Sequence, residues 1–249
     1  MKYFGITDKG KVRNENQDCY ILERVEGKNC TLLVLCDGLG SSRAGGVASD
    51  LSSRSFINDV KAKITSRLNH QRDFRKILTD ACIAANDLTY EYSLFDEAFK
   101  GFGTTMVGGI VRDDGKVFLI NVGDSRAYIL NRHGKGSVRQ ITTDNSLVED
   151  LVESGVITRE QARNHPQKNV ITRAVGSEPV IETDYYEVEL KTGEMLMLCS
   201  DGLSNLVKDE EMLDYFSLFK QPADFCNALL DLTYERGAKD NVTIISVVR

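Results

Sequence analysis

The chain has 249 residues, 41% hydrophobic and 27% charged, which excludes a disordered tail and supplies enough apolar mass for a core. With 31 basic and 37 acidic residues its net charge is −6, a balance that argues against a nucleic-acid backbone or an anionic membrane as the main partner. The longest apolar runs, Thr31–Cys36 and Val242–Val248, fall far short of the ~20 residues that span a bilayer.

Strands are predicted at Tyr3–Thr7, Cys19–Val25 and Thr31–Cys36. Helices follow from about Ala44 to Val60 and from about Arg72 to Phe99, the second with Ile77, Ala81, Ala84, Ala85 and Leu88 at helical spacing. Thr104–Val111 and Lys116–Val122 read as strands joined by the turn signal Asp113-Asp114-Gly115. Arg126–Leu130 is another. In Asn145–Pro166, Ser146-Leu-Val-Glu149 and Thr158-Arg-Glu-Gln161 both fit the capping box, so each should open a short helix. Strands return at Asp184–Leu190 and Glu194–Cys199, then helices near Asp209–Phe219 and Ala223–Tyr234, then a last strand at Val242–Val248. Runs of strands between paired helices predict an α+β fold. With only three prolines and no Pro/Gly/Ser-rich linker, residues 1–249 read as one domain.

Six cysteines stand at 19, 30, 36, 82, 199 and 226 without a C-x-x-C pair, which excludes zinc-ribbon and thioredoxin readings. MKYFGITDKGKVR has no apolar h-region. The expectation is a cytoplasmic, soluble protein with reduced thiols.

Leu33-Val-Leu-Cys-Asp37-Gly38-Leu39 and Met197-Leu-Cys-Ser-Asp201-Gly202-Leu203 both end an apolar strand with Asp-Gly. Either alone is an ordinary turn signal. But Leu119-Ile-Asn-Val-Gly-Asp124 also ends a strand on Asp, Asp240-Asn241 precedes the last strand, and Asp18 precedes the strand from Cys19. In antiparallel sheets the end of one strand lies beside the start of the next, so five carboxylates can gather at one rim. Two charges 4 Å apart repel by roughly 4 kcal/mol at an effective dielectric of 20. Such a cluster demands protonation or a cation, and an all-oxygen ligand set favours magnesium or manganese over zinc.

Eight motifs, in order over more than 230 residues, resemble the metal-dependent serine/threonine protein phosphatases of type 2C in their bacterial form. They are Thr7-Asp8-Lys-Gly10 through Arg13-Asn-Glu-Asn16-Gln17-Asp18; Asp37-Gly38-Leu39-Gly40; Gly103-Thr104-Thr105; and Val122-Gly123-Asp124-Ser125-Arg126. The others are Asp144-Asn145-Ser146-Leu147-Val148; His165-Pro166 with Ile171-Thr172-Arg173-Ala174; Ser200-Asp201-Gly202-Leu203; and Asp240-Asn241-Val242-Thr243.

The resemblance implies a central antiparallel β-sandwich flanked by pairs of helices, with a small helical flap at about 145–168. It implies two Mn2+ or Mg2+ ions and hydrolysis of phosphoserine or phosphothreonine by a metal-activated water. Asp37 would bridge the two ions and Gly38 would give its carbonyl to one. Asp201 and Asp240 would complete the first, and Asp18 would hold the water shell of the second. Asp124, with Asp201, would hold a third, weaker ion. Arg13 would grip the substrate phosphate, in keeping with the planar fork that guanidinium presents to phosphate oxygens. The implied partners are phosphoproteins and a cognate serine/threonine kinase, for a monomeric enzyme.

The sequence departs from the family pattern at Gln17, where relatives carry Glu, at Gly40-Ser41-Ser42 in place of Gly-Gly-His, at Gly46 in place of Glu, and at Asn145 in place of His. Leu39 stands where animal relatives place a histidine. A binding module that keeps the fold without turnover is the rival reading.

Arg126 and Arg173 read as structural ion-pair residues, Gly103-Thr104-Thr105 as a tight strand start, and Asn241 as orienting Asp240 or capping a turn. His70 and His133 read as surface residues and His165 as a flap hinge. Other chemistries lose. A cysteine phosphatase needs C-x5-R, and Arg43 lies one residue too far from Cys36. Gly123-Asp-Ser125-Arg-Ala127 misses the serine-hydrolase elbow because a strand follows it. Gly5 to Lys11 spells a P-loop, but Val12 and a missing helix make it a decoy.

Overall fold

A computed structural model of the chain describes residues 1–40, 44–65, 73–95 and 101–249. Two antiparallel sheets stack face to face. One has the order β1 (Lys2–Asp8), β11 (Val242–Val248), β10 (Met195–Cys199), β7 (Arg126–Asn131), β8 (Ser137–Gln140). The other runs β2 (Asp18–Val25), β3 (Cys30–Leu39), β5 (Met106–Arg112), β6 (Lys116–Val122), β9 (Asp184–Glu189), with the two-residue β4 (Gly103–Thr104) paired to the end of β3.

Strand alternation explains the layers. In β3, Leu32, Val34 and Cys36 face Phe56, Ile57 and Val60 of α1 (Ala44–Thr65) and Leu78 and Ala81 of α2 (Phe74–Ser93). The intervening Leu33 and Leu35 meet Leu196, Leu198, Ile245 and Val247 of the opposite sheet. On that sheet, Met195, Met197 and Cys199 turn outward onto α6 (Asp209–Leu218) and α7 (Pro222–Glu235) through Met212, Phe216, Phe225 and Leu229. The central strands are apolar on both faces because both faces are covered. Each buried leucine contributes roughly 1.5–3 kcal/mol. The expected α+β sandwich with flanking helix pairs is what forms.

The elements differ from the sequence expectations in five places. α1 runs on to Thr65, since Ile64 still finds the core. α2 ends at Ser93 instead of near Phe99; residues 96–100, like His70, lie outside the described residues. The strand expected at Thr104–Val111 is broken at Thr105, whose hydroxyl and N–H both serve Asp37. A short α5 (Asp201–Ser204) follows Ser200 where a turn was expected, and β8 was not foreseen.

The excursion after β8 carries α3 (Leu147–Glu153) and α4 (Arg159–Arg163), as the two caps predict. Thr158 and Gln161 form a full capping box. At α3 only half forms: Ser146 accepts from Glu149 N–H, but the Glu149 carboxylate pairs with Arg159 at 2.9 Å.

Candidate metal centre

Strand direction sets the site. β3 ends at one rim of the sandwich and β2 starts there, so Asp37 and Asp18 stand directly opposite each other in register. Like charges so placed are destabilising. In the facing sheet, β10 reaches the same rim and hands over to Asp201, while Asp240 leads into β11 beside the end of β1. Asp124 lies between β6 and β7.

These five carboxylates feel one another. Burial pushes the Asp37 carboxyl well above its ordinary range, and Asp18, Asp201, Asp124 and Asp240 push it further. Asp18 is raised by burial and by Asp201. Asp201 is raised by burial and by Asp240, and Asp124 by burial and by Asp201. The rim is therefore an electrostatic sink for cations.

Asp18 is held most firmly. Its Oδ2 accepts from Ser200 Oγ at 2.8 Å and Thr243 Oγ1 at 2.6 Å. The Thr243 proton is thereby committed, so Thr7 Oγ1 is the donor in the 2.7 Å Thr7–Thr243 contact, and Asn16 Nδ2 in turn donates to Thr7. The other oxygen, Oδ1, is buried with no hydrogen-bond partner among the described residues. A buried charged acceptor left open is costly unless a ligand completes it.

Gly38 is required by packing. A Cβ there would lie 2.2 Å from Gly45 O and 2.7 Å from Gln17 O. Gly38→Ala is expected to cost about 1–3 kcal/mol through overpacking and to lower activity by displacing Asp37, as a melting curve and a rate measurement check. Gly202 is similarly constrained, with a Cβ position 1.9 Å from Asn241 O. That close approach seats Asp201 against the start of β11.

Arg13 is half-exposed, and its Nη2 meets Asp240 Oδ2 at 2.8 Å. That bond, with the fields of Asp37 and Asp201, raises its pKa and keeps the charge fixed. Asp240 Oδ1 accepts from Asn241 N–H at 2.9 Å. Among the described residues no three carboxylates, histidines or cysteines close into a ready-made cage. The fit to divalent ions rests on donor chemistry: oxygen donors, the open Asp18 Oδ1, and the Gly38 carbonyl. Hard ions of this kind keep several waters and need no all-protein cage.

The structural residues fall as expected. Arg126 pairs with the buried Asp144 at 2.6 Å, and Arg173 with Asp184 at 3.1 Å. Thr104 and Thr105 are buried and bond the Asp37 backbone. His133 is exposed and His165 half-buried at the end of the α4 excursion. Asn241 does more than orient Asp240: its N–H bonds Asp240 Oδ1, and its side chain reaches the backbone of Lys9, Glu15 and Gln17. The rejected chemistries stay rejected. Burial pushes the Cys36 thiol well up, which leaves it inert. Ser125 is buried against Thr105 and runs into β7. No helix follows Lys11, whose Nζ bonds Tyr234 O. Sequence reasoning missed Ser200 and Thr243 as supports of Asp18, although both stand inside quoted motifs.

Residues 11–230 match the family described as protein phosphatase 2C. This chain belongs to that family. It is a metal-dependent serine/threonine protein phosphatase. It is 34% identical over 244 residues to the serine/threonine phosphatase stp of Listeria monocytogenes, covering 98% of this chain and 94% of that one. The crystal structure of the serine/threonine phosphatase Stp1 from Staphylococcus aureus superposes with a TM-score of 0.90 at 34% identity, over 99% of this chain and 94% of that one. The catalytic domain of the phosphatase PstP, solved in complex with two manganese ions, gives a TM-score of 0.82 at 30% identity, over 100% of this chain and 98% of that one.

Proposed function

We propose that the whole chain, 1–249, works as one phosphatase domain in which the rim carboxylates hold two Mn2+ or Mg2+ ions and Arg13 holds the phosphate of a phosphoserine or phosphothreonine protein. The observation that supports this most is the convergence of Asp18, Asp37, Asp124, Asp201 and Asp240 on one rim, with Asp37 raised by all four others. Asp37, the Gly38 carbonyl, Asp201 and Asp240 would hold the two ions, Asp18 would hold the water shell of the second, and Asp124 with Asp201 would hold a third, weaker one. When bound, the ions supply positive charge to the phosphoryl group and make water acidic enough to attack it at neutral pH.

The protein's own residues do the rest. Arg13 gives Nη2 to Asp240 and keeps its remaining donors for phosphate oxygens. Asp18 Oδ1 is placed to accept a hydrogen bond from water in the site. Segment 145–168 lies over a cavity of about 170 Å³ lined by Asp124, Asp144, Lys168, Asp201 and Asn205, and serves as the flap over the rim. Among the described residues no helix is long and apolar enough to cross a membrane and no disulfide forms. The proposal extends to a cytoplasmic monomer that works against a serine/threonine kinase.

Hydrolysis of a phosphothreonine peptide is expected to require Mn2+, to stop with a chelator, to return on adding Mn2+, and to fail in Asp201→Asn. Phosphopeptide binding without turnover, indifferent to metal, would support the binding-module reading instead.

A further inference from the structure

The segment from Lys9 to Gln17 carries Arg13 yet has no helix or strand of its own, and residues 11–16 are all exposed. An irregular, solvated strap does not by itself hold a guanidinium in place. One buried side chain closes it. Asn241 Nδ2 donates to Lys9 O at 3.0 Å and to Glu15 O at 3.0 Å, while its Oδ1 accepts from Gln17 N–H at 2.8 Å. All three contacts lie on the strap, two after Arg13 and one before it. Asn241 is only 4% exposed and sits between Asp240, which pairs with the Arg13 head, and β11, which is fixed in the sheet. Behind it, Lys11 N–H bonds Ala238 O at 2.8 Å, and Gly10 lies so close that a Cβ would be 2.3 Å from Asp240 O.

We propose that Asn241 is a positioning residue for substrate phosphate: it clamps the strap on both sides of Arg13 and so sets where the guanidinium meets the phosphate. Its amide is suited to this because it presents one acceptor and two donors in a plane. Aspartate lacks the donors, and alanine lacks everything. The clamp also redirects one ladder bond. Gly38 N–H donates to Gln17 O at 3.1 Å, but Gln17 N–H goes to Asn241, so the return bond that would cap the Gly38 carbonyl is given up. The same side chain thus fixes the strap at the point where it pairs with Gly38.

This rests on the assignment of Arg13 to the phosphate, and a double-mutant cycle separates the two. With Mn2+ saturating and p-nitrophenyl phosphate as substrate, Asn241→Ala is expected to raise KM about 10-fold or more. kcat should fall less than KM rises, and the inhibition constant for inorganic phosphate should rise in parallel. In an Arg13→Ala background the same substitution should change KM less than about 2-fold, since groups acting through one another are non-additive. An equal effect in both backgrounds overturns the clamp and leaves Arg13 in its role. A silent Arg13→Ala overturns both. Hydrogen exchange on the wild-type, metal-free protein gives a test that needs no variant. The Gln17 amide should exchange far more slowly than its exposed neighbour Glu15, and equal rates overturn the clamp.

Discussion

Asp37→Asn is expected to lower kcat/KM by at least about 10³-fold, because a ligand proposed to serve both ions supports several kcal/mol of charge stabilisation and a decade in rate costs about 1.4 kcal/mol. The same substitution should not destabilise the metal-free protein at pH 8. The folded-state pKa of Asp37 lies well above its unfolded value, through burial first and then Asp18, Asp201, Asp124 and Asp240. A carboxyl raised in this way contributes its full stability below the unfolded pKa and loses it as pH rises through the folded one. At pH 8 the wild type without metal carries that penalty and the amide does not. Melting curves of the metal-free proteins should therefore favour Asp37→Asn at pH 8, with the difference closing toward pH 4. A variant that keeps activity within tenfold, or that is equally destabilised at both pH values, contradicts the assignment.

Arg13→Ala should act on a different quantity. The guanidinium is half-exposed, tied to Asp240 by one bond, and free to present its other donors outward. Its removal should raise KM for small phosphate esters about 10–100-fold, the range expected when an anchoring group that orients the reacting centre is lost. kcat should change less, and Mn2+ affinity should not weaken, since removing a cation beside Asp240 leaves that carboxylate more attractive to metal. Arg13→Lys should recover only part of the loss, because an ammonium keeps the charge but not the fork. Steady-state kinetics with calorimetric Mn2+ titration checks all three. Loss of metal binding in Arg13→Ala would show that the arginine supports the ligands and not the substrate.

Much of this site is legible in the sequence. Asp37 and Asp201 announce themselves because each follows an apolar strand and precedes a glycine, and the antiparallel rule then brings strand ends together. The reason for those glycines is only half legible. Gly38 is expected to offer its carbonyl to an ion, but the constraint visible in the fold is the backbone of Gly45 and Gln17 pressing on it. That approach between segments distant in sequence leaves no local signal. The role of Asn241 is hidden for the same reason, since its partners are at Lys9, Glu15 and Gln17, more than two hundred residues earlier. The hydroxyls of Ser200 and Thr243 look like ordinary strand-end residues until Asp18 is placed between them. β8 escapes notice because four residues, Ser-Val-Arg-Gln, carry too little alternation to read, and α5 because one turn of helix after an Asp-Gly pair looks like a turn.

The most direct test is a manganese-soaked crystal measured at the manganese absorption edge. Two ions should lie at the rim with oxygens of Asp37 touching both, the Gly38 carbonyl on one, and Asp201 with Asp240 on the other. Manganese found only on outer carboxylates such as Asp50 or Glu182, with the rim empty under saturating metal, would contradict the account.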